Sequence, residues 1–220
     1  MKSEKIKLVL IGGGGHCKSC IDVIESTNLY QIVGILDLPT EREKYICGYK
    51  VIGDDSDYLK YKKLNCSFVI TAGQIKSSSL RKRIFDNLKG IEAKIEIIIS
   101  SSATVSKYAE IGEGTVIFHH CVVNAGSNIG TNCIINTGSI IEHDAKIGNN
   151  CHISTGAVIN GDVNIGMNSF VGSNTCISNG LTIADESIIG AGSTVIKDIE
   201  TGGTYAGSPA KKIKWKESSS

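Results

Sequence analysis

Residues 129–165 read IGTNCI INTGSI IEHDAK IGNNCH ISTGAV INGDVN I, with a branched aliphatic residue opening every block of six. The spacing extends unbroken in both directions, back through Val123, Ile117, Ile111 and Val105 to Ile99, and on through Val171, Ile177, Ile183 and Ile189 to Val195. Four residues after each aliphatic stands a partner that is small or compact, as at Cys121, Ser127, Cys133, Ser139, Ala145, Cys151 and Ala157. A helix repeats every 3.6 residues, and simple strand alternation demands no small residue at a fixed offset. Six is the period of a hexapeptide parallel β-helix, in which three short strands complete one triangular coil of about eighteen residues. The aliphatic side chains point inward and stack at the strand spacing of about 4.8 Å, so each coil buries what it could not bury alone. Gly126, Gly130, Asn132, Gly148 and Asn150 supply the turns between faces.

Upstream of the repeat the pattern changes. Lys5 to Ile11 is an apolar strand, followed by Gly12-Gly13-Gly14-Gly15-His16 and a helix with Ile21, Val23 and Ile24 on one face. Strand, glycine loop and helix open a Rossmann-like unit. A second strand, Ile32 to Leu36, ends at Asp37, where such folds place an acid near a ribose hydroxyl. Cys17 stands in place of the third glycine of G-x-G-x-x-G, which counts against a nicotinamide cofactor. The loop can still offer backbone N–H groups and a helix N-terminus to a phosphate. Further on come an extended piece at Tyr49 to Ile52, a helix through Leu59 capped by Asp54 or Asp55, and a buried strand from Cys66 to Thr71. The last upstream element is a helix from about Ser77, with Leu80, Ile84, Phe85 and Leu88 expected on its buried face and Gly90 at its end. Residues 1–98 are therefore expected to form a small α/β domain of four or five parallel strands, and residues 99–200 the β-helix. Residues 201–220 are left as a cap over the open strand edges, with a Ser-rich tail beyond Trp215 that is expected to be disordered.

The chain of 220 residues carries 23 Lys and Arg against 22 Asp and Glu, a net charge of +1. Its only basic cluster is the short Lys211, Lys212, Lys214, Lys216 run, so the footprint of a nucleic-acid-binding protein is missing. No stretch approaches the roughly eighteen apolar residues of a membrane span, and no signal peptide is recognisable. A cytoplasmic protein that binds no nucleic acid and no membrane is expected. The eight cysteines are accordingly read as reduced thiols. Cys133 and Cys151 fall one coil apart, close enough to bridge under oxidation, though packing is the favoured role. Cys17 and Cys20 form a C-x-x-C, but Pro39 and Pro209 are the only prolines, which leaves no cis-proline strand for a thioredoxin-like site.

Chemistry has few places in a solenoid with an apolar interior, so polar residues that interrupt a face are informative. The strongest interruption is Glu142-His143-Asp144. A carboxylate that holds one ring nitrogen raises the basicity of the other, leaving it a general base near neutral pH. His152 lies half a coil further on and meets His143 only if a neighbouring subunit brings them together. His119-His120 is a second cluster, read as solvated or interfacial. Residues 119, 143 and 152 do not stack on one another, so no metal site is expected.

The repeat, the Gly-Ser-Pro-Ala-Lys segment at 207–211 and the N-terminal Gly-Gly-His loop together resemble the sugar acyltransferases of the left-handed β-helix superfamily. Glu-His-Asp followed by Cys-His-Ile-Ser points to the PglD/NeuD type. The resemblance implies an α/β Rossmann-like domain followed by a left-handed parallel β-helix, and a homotrimer with acetyl-CoA as cosubstrate between neighbouring β-helices. It matches His143 to the catalytic base, Asp144 to its supporting acid and His152 to a histidine at the acetyl-CoA end. Gly161 falls where a backbone N–H faces the thioester oxygen. Gly12, Gly13, Gly14, Gly15, His16 and Asp37 match the loop that holds a nucleotide-linked sugar. Leu38, where the family often has a second acid, and Ser100-Ser101, where it often has a His-Pro or similar pair, depart from the pattern. The expected activity is acetyl-CoA-dependent N-acetylation of the 4-amino group of a UDP-type amino-deoxysugar. O-acetylation of the sialic acid type and a non-catalytic nucleotide-sugar-binding scaffold are the alternatives.

Overall fold

A computed structural model describes residues 4–75 and 77–214, so the serine-rich tail lies outside the described residues. Strand β1 (Ile6–Ile11) leads into helix α1 (Gly15–Thr27), which stops at Asn28 in the left-handed conformation, φ 58°. Strand β2 (Tyr30–Leu36), the hairpin β3 (Tyr45–Ile46) and β4 (Tyr49–Gly53), helix α2 (Tyr58–Lys63), strand β5 (Ser67–Ile70) and helix α3 (Ser79–Gly90) follow. The sheet order is β3-β4-β2-β1-β5. Four strands are parallel, and the fifth, β3, runs antiparallel to β4 through a turn at Cys47 and Gly48, both with positive φ. Two consecutive left-handed residues match the twist of a tight hairpin. Asp54 caps a short 3-10 turn, Asp55–Asp57, in a reciprocal capping box with Asp57, and α2 continues from it.

The inward face of α3 differs from the expected one. Leu80 is 48% exposed, whereas its neighbour Arg81 is fully buried with Ile84 and Leu88. Backbone carbonyls from two parts of the chain converge on that guanidinium, so a charged side chain fits where an apolar one would leave them unpaired.

From Ile98–Ile99 onward, two- and three-residue strands stack in three parallel sheets. Ile141 pairs with Val123 below and Ile159 above, and Ile153 with Ile135 and Val171, as the period of six requires. The inward aliphatics from Ile117 to Val195 are buried. Ile99 is not, because it lies in the first coil, with nothing stacked beneath it. Cys121, Cys133 and Cys151 are fully buried free thiols in the interior, and Cys17 and Cys20 are fully buried in the α/β domain. Burial pushes the Cys17 thiol up to about 11 and the Cys20 thiol higher still, so both pack as small apolar groups.

The three outward faces differ in character. Val116, Ile134 and His152 are buried on the first face, where the α/β domain lies against it. The second presents Val122, Ile140, Val158 and Cys176, half-buried with no covering element among the described residues. The third is polar, with Glu110, Asn128, Lys146 and Asn164 in open solvent. At the far end the repeat loosens after Val195, yet Gly203–Ala206 still pairs in parallel with Ser187–Ile189 before reversing into Lys211–Ile213. That antiparallel hairpin covers the last open edge of the first face. Among the described residues, no helix is long and apolar enough to cross a membrane.

Candidate active site

His143 and Asp144 stand at the corner between strands Ile140–Ile141 and Lys146–Ile147, where the second face turns into the third. Asp144 makes the turn in the left-handed conformation, φ 61°. That geometry folds its carboxylate back onto the imidazole, with Oδ2 at 2.8 Å from His143 Nδ1. Nδ1 therefore carries the proton and Nε2 is left as the free acceptor. The hydrogen bond to Asp144 holds the His143 pKa above its ordinary value, and the charges of Asp144, Glu142 and Asp162 act in the same direction. Glu142 is itself fixed from the coil below, accepting from Asn124 Nδ2 at 2.8 Å.

Two glycines bracket this pair. A Cβ on Gly126, one coil below, would meet Asp144 Oδ1 at 2.3 Å. One on Gly161, one coil above, would lie 2.7 Å from both Cε1 and Nε2 of His143. The Gly161 N–H has no acceptor among the described residues, and Asp162 N donates to His143 O at 3.0 Å. A basic nitrogen on an exposed ring thus lies against the buried Gly161, whose backbone donor is unclaimed among the described residues.

His152 lies elsewhere. It is on the first face, opposite the His143 corner of the triangle, and is 5% exposed. Its Nδ1 donates to the Gln74 carbonyl, and its Nε2 accepts from Asn136 Nδ2 at 3.3 Å. Burial pulls its pKa down to about 4, with the Arg81 charge acting the same way, so the ring is neutral. The His16 ring packs 5.2 Å from Phe118 and 6.3 Å from His152. Burial lowers the His16 pKa to about 3, and its Nε2 is buried without a partner among the described residues. A single chain therefore keeps two groups of side chains apart, one around His143 and the other around His152, Asn136 and His16.

The glycine loop lies beside the second of these groups, since His16 belongs to both. Strands β2 and β4 lie on one side of β1 and β5 on the other, and such a reversal of strand order opens a cleft at the carboxyl ends. Gly12, at φ +101°, turns so close to the segment after β5 that a Cβ would meet Ala72 N at 2.9 Å. Gly13 N donates to Asp37 Oδ2 at 3.0 Å, and Asp37 Oδ1 accepts from Leu38 N at 2.9 Å. Asp37 thereby pins the loop, with lone pairs to spare. Gly14 is the N-cap of α1, and among the described residues no side chain caps it and no atoms stand where side chains on Gly14 and Gly15 would lie. The helix N-terminus is open to an anion.

His119 links the domains from the outside: its Nδ1 meets Ser100 Oγ at 2.7 Å and its Nε2 meets Asp22 of α1 at 3.0 Å. Ser100 is thus part of a structural strut. Among the described residues, no three His, Cys, Asp or Glu side chains converge as a metal site. Asn136, Gln74 and Gly126 join the site only through their three-dimensional partners. The texture of the repeat marks Gly126 as a turn residue and no more.

Residues 7–88 match the PglD N-terminal domain family, and residues 126–161 match the bacterial transferase hexapeptide (six repeats) family. The chain matches no curated protein sequence. Among solved structures it is similar to the acetyltransferase domain of PglB from Neisseria gonorrhoeae in complex with acetyl coenzyme A. The two share 30% identity and a TM-score of 0.88 over 96% of this chain and 100% of that one. It is also similar to PerB from Caulobacter crescentus in complex with CoA and GDP-perosamine, at 29% identity and a TM-score of 0.87 over 94% and 97% of the two chains. Variants of that perosamine N-acetyltransferase with a histidine replaced by Asn or Ala have been solved with the same ligands. WeeI from Acinetobacter baumannii shares the fold at 21% identity, with a TM-score of 0.80. With an α/β domain, a hexapeptide coil and 30% identity along nearly the whole of a solved acetyltransferase domain, the chain belongs to the PglD/NeuD-type sugar acetyltransferases of the left-handed β-helix.

Proposed function

We propose that the protein transfers the acetyl group of acetyl-CoA to the 4-amino group of a nucleotide-linked amino-deoxysugar, with His143 as general base. The observation that carries this reading is the exposed His143–Asp144 pair beside the unclaimed Gly161 N–H. Glu142, Asp144 and Asp162 surround the imidazole with negative charge, which attracts an acceptor that arrives as an ammonium ion. The ammonium first loses a proton to solvent. The amine then attacks the thioester carbonyl as His143 Nε2 removes its second proton, and the Gly161 N–H donates to the developing oxyanion. Collapse of the tetrahedral adduct breaks the C–S bond, and the proton on His143 leaves with the CoA sulfur. No enzyme thiol is needed, since Cys121, Cys133 and Cys151 point into the β-helix interior.

The sugar nucleotide belongs in the crevice, with its diphosphate on the open N-terminus of α1 at Gly12, Gly13, Gly14, Gly15 and His16, and its ribose near Asp37. The relative crystallised with GDP-perosamine supports a nucleotide-linked amino sugar. UDP is our choice of nucleotide. A CoA-release assay over UDP-, dTDP- and GDP-linked amino sugars and free sialic acids tests both choices. Turnover is expected with a UDP-linked 4-amino sugar. Turnover of a hydroxyl acceptor alone would overturn the N-acetylation reading, and absence of acetyl-CoA binding by calorimetry would leave a scaffold.

His152 serves the acetyl-CoA end of a neighbouring subunit's site, in a homotrimer. The apolar second face, with Val122, Ile140, Val158 and Cys176, is the surface a three-fold partner would cover, while the polar third face stays in water. A closed trimer apposes different faces of adjacent copies, which would bring the His143 corner of one to the His152 group of the next. Light scattering coupled to gel filtration is expected to give three times 23.4 kDa. A fully active monomer would overturn the shared site.

A further inference from the structure

We propose that Arg81 is a positioning residue for the acetyl transfer: its guanidinium holds the crevice of the α/β domain in register with the β-helix coils. The proposal rests on reading that crevice as the sugar-nucleotide site. Arg81 is fully buried, and among the described residues no carboxylate pairs with it. Its charge is met by four backbone carbonyls. On the α/β side, Nη1 donates to Ile70 O at 2.6 Å and to Ala72 O at 3.1 Å. On the β-helix side, Nε donates to Asn132 O and Nη2 to Gly114 O, each at 3.2 Å. Gly114 and Asn132 occupy the same corner of successive coils. One planar fork therefore grips the end of β5 and two coils together, which the single ammonium of a lysine cannot do.

What Arg81 grips gives the contact its consequence. The two α/β carbonyls flank Thr71, whose hydroxyl donates to the Ile11 and Gly12 carbonyls and so fixes the start of the glycine loop. A few residues on, the Gln74 side chain donates to Asn150 O at 2.8 Å and the Gln74 backbone carbonyl receives the His152 Nδ1 proton. The segment from Ile70 to Gln74 thus touches the glycine loop on one side and the His152 group on the other, and Arg81 anchors it. Loss of the fork would leave the glycine loop and the His143 corner each intact and misplace one relative to the other.

The test is Arg81→Lys, assayed well below its melting temperature. Binding of UDP or GDP and of acetyl-CoA, measured separately by calorimetry, is expected to stay within about threefold of wild type. In the same protein kcat is expected to fall by roughly 10- to 100-fold, the cost of a misplacement near 1 Å. A variant with lowered melting temperature and wild-type kcat and KM would reduce Arg81 to a stabilising contact and overturn the proposal. Failure of the wild-type protein to bind either nucleotide would instead overturn the crevice reading. Hydrogen exchange on the wild-type protein provides a check that needs no variant. The Thr71 and Ala72 amides are expected to open together with those of Val116 and Ile134, as one cooperative unit. Opening of Thr71 and Ala72 more than about tenfold faster, on their own, would show that no clamp joins the two domains.

Discussion

Replacing His143 with alanine is expected to lower kcat by roughly 10²- to 10⁴-fold, the range for removal of a general base, with the melting temperature almost unchanged. The fold has little reason to respond, because the side chain is exposed and, among the described residues, hydrogen-bonds only to Asp144 next to it. Asp144→Asn is expected to cost less, since the imidazole remains but loses the carboxylate that raises its basicity. The two variants are separated by their pH dependence. A base works deprotonated, and the folded-state pKa of His143 lies above the ordinary histidine value, chiefly through the Asp144 hydrogen bond. Wild-type kcat/KM is therefore expected to show an acid limb from His143, with activity lost as pH falls through that raised folded-state value. In Asp144→Asn the His143 limb moves to lower pH, and in His143→Ala only the limb set by the acceptor's own ammonium remains. A kcat near wild type for His143→Ala at saturating substrate would transfer the role elsewhere, with His119 and His120 next to be tested.

How much of this is legible in the chain depends on how often a constraint repeats. The inward position of the β-helix imposes the same demand coil after coil, so from Ile117 to Val195 the period of six appears as a run of buried aliphatics. The Glu142-His143-Asp144 interruption is visible for the same reason, as a break in a strong texture. Arg81 carries no such signal. By amphipathic reading Leu80 belongs inside and Arg81 outside, and only the convergence of four carbonyls from distant parts of the chain reverses them. Strand β3 escapes notice because two residues are too few for a pattern, although its Cys47-Gly48 turn is a hairpin feature. His152 could be placed on the perimeter from its spacing alone. That its ring is held by Gln74 and Asn136 and packs on Phe170 depends on partners up to 78 residues away.

The glycine above the imidazole allows the sharpest separation of geometry from stability. Gly161→Ala is expected to lower kcat by about 10²-fold while leaving the melting temperature within a few degrees of wild type. The added Cβ would lie 2.7 Å from His143 Nε2 and Cε1, which real contacts do not reach, so one of the two must move. Gly161 does not need a positive φ, and the obstructing atoms belong to an exposed ring that can swing outward into solvent. The ring yields, not the coil, and Nε2 leaves its place beside the Gly161 N–H. Gly126 differs, because its φ of +77° and an approach of 2.3 Å to Asp144 Oδ1 would make alanine there costly to the fold as well. If Gly161 acts through His143, the two effects are not additive. In a His143→Ala background, which has no ring to displace, Gly161→Ala is expected to cost no more than about twofold. A full hundredfold loss in that background would show that the alanine damages the backbone donor or the acetyl-CoA site instead, and wild-type kcat for the single variant would remove Gly161 from the active site altogether.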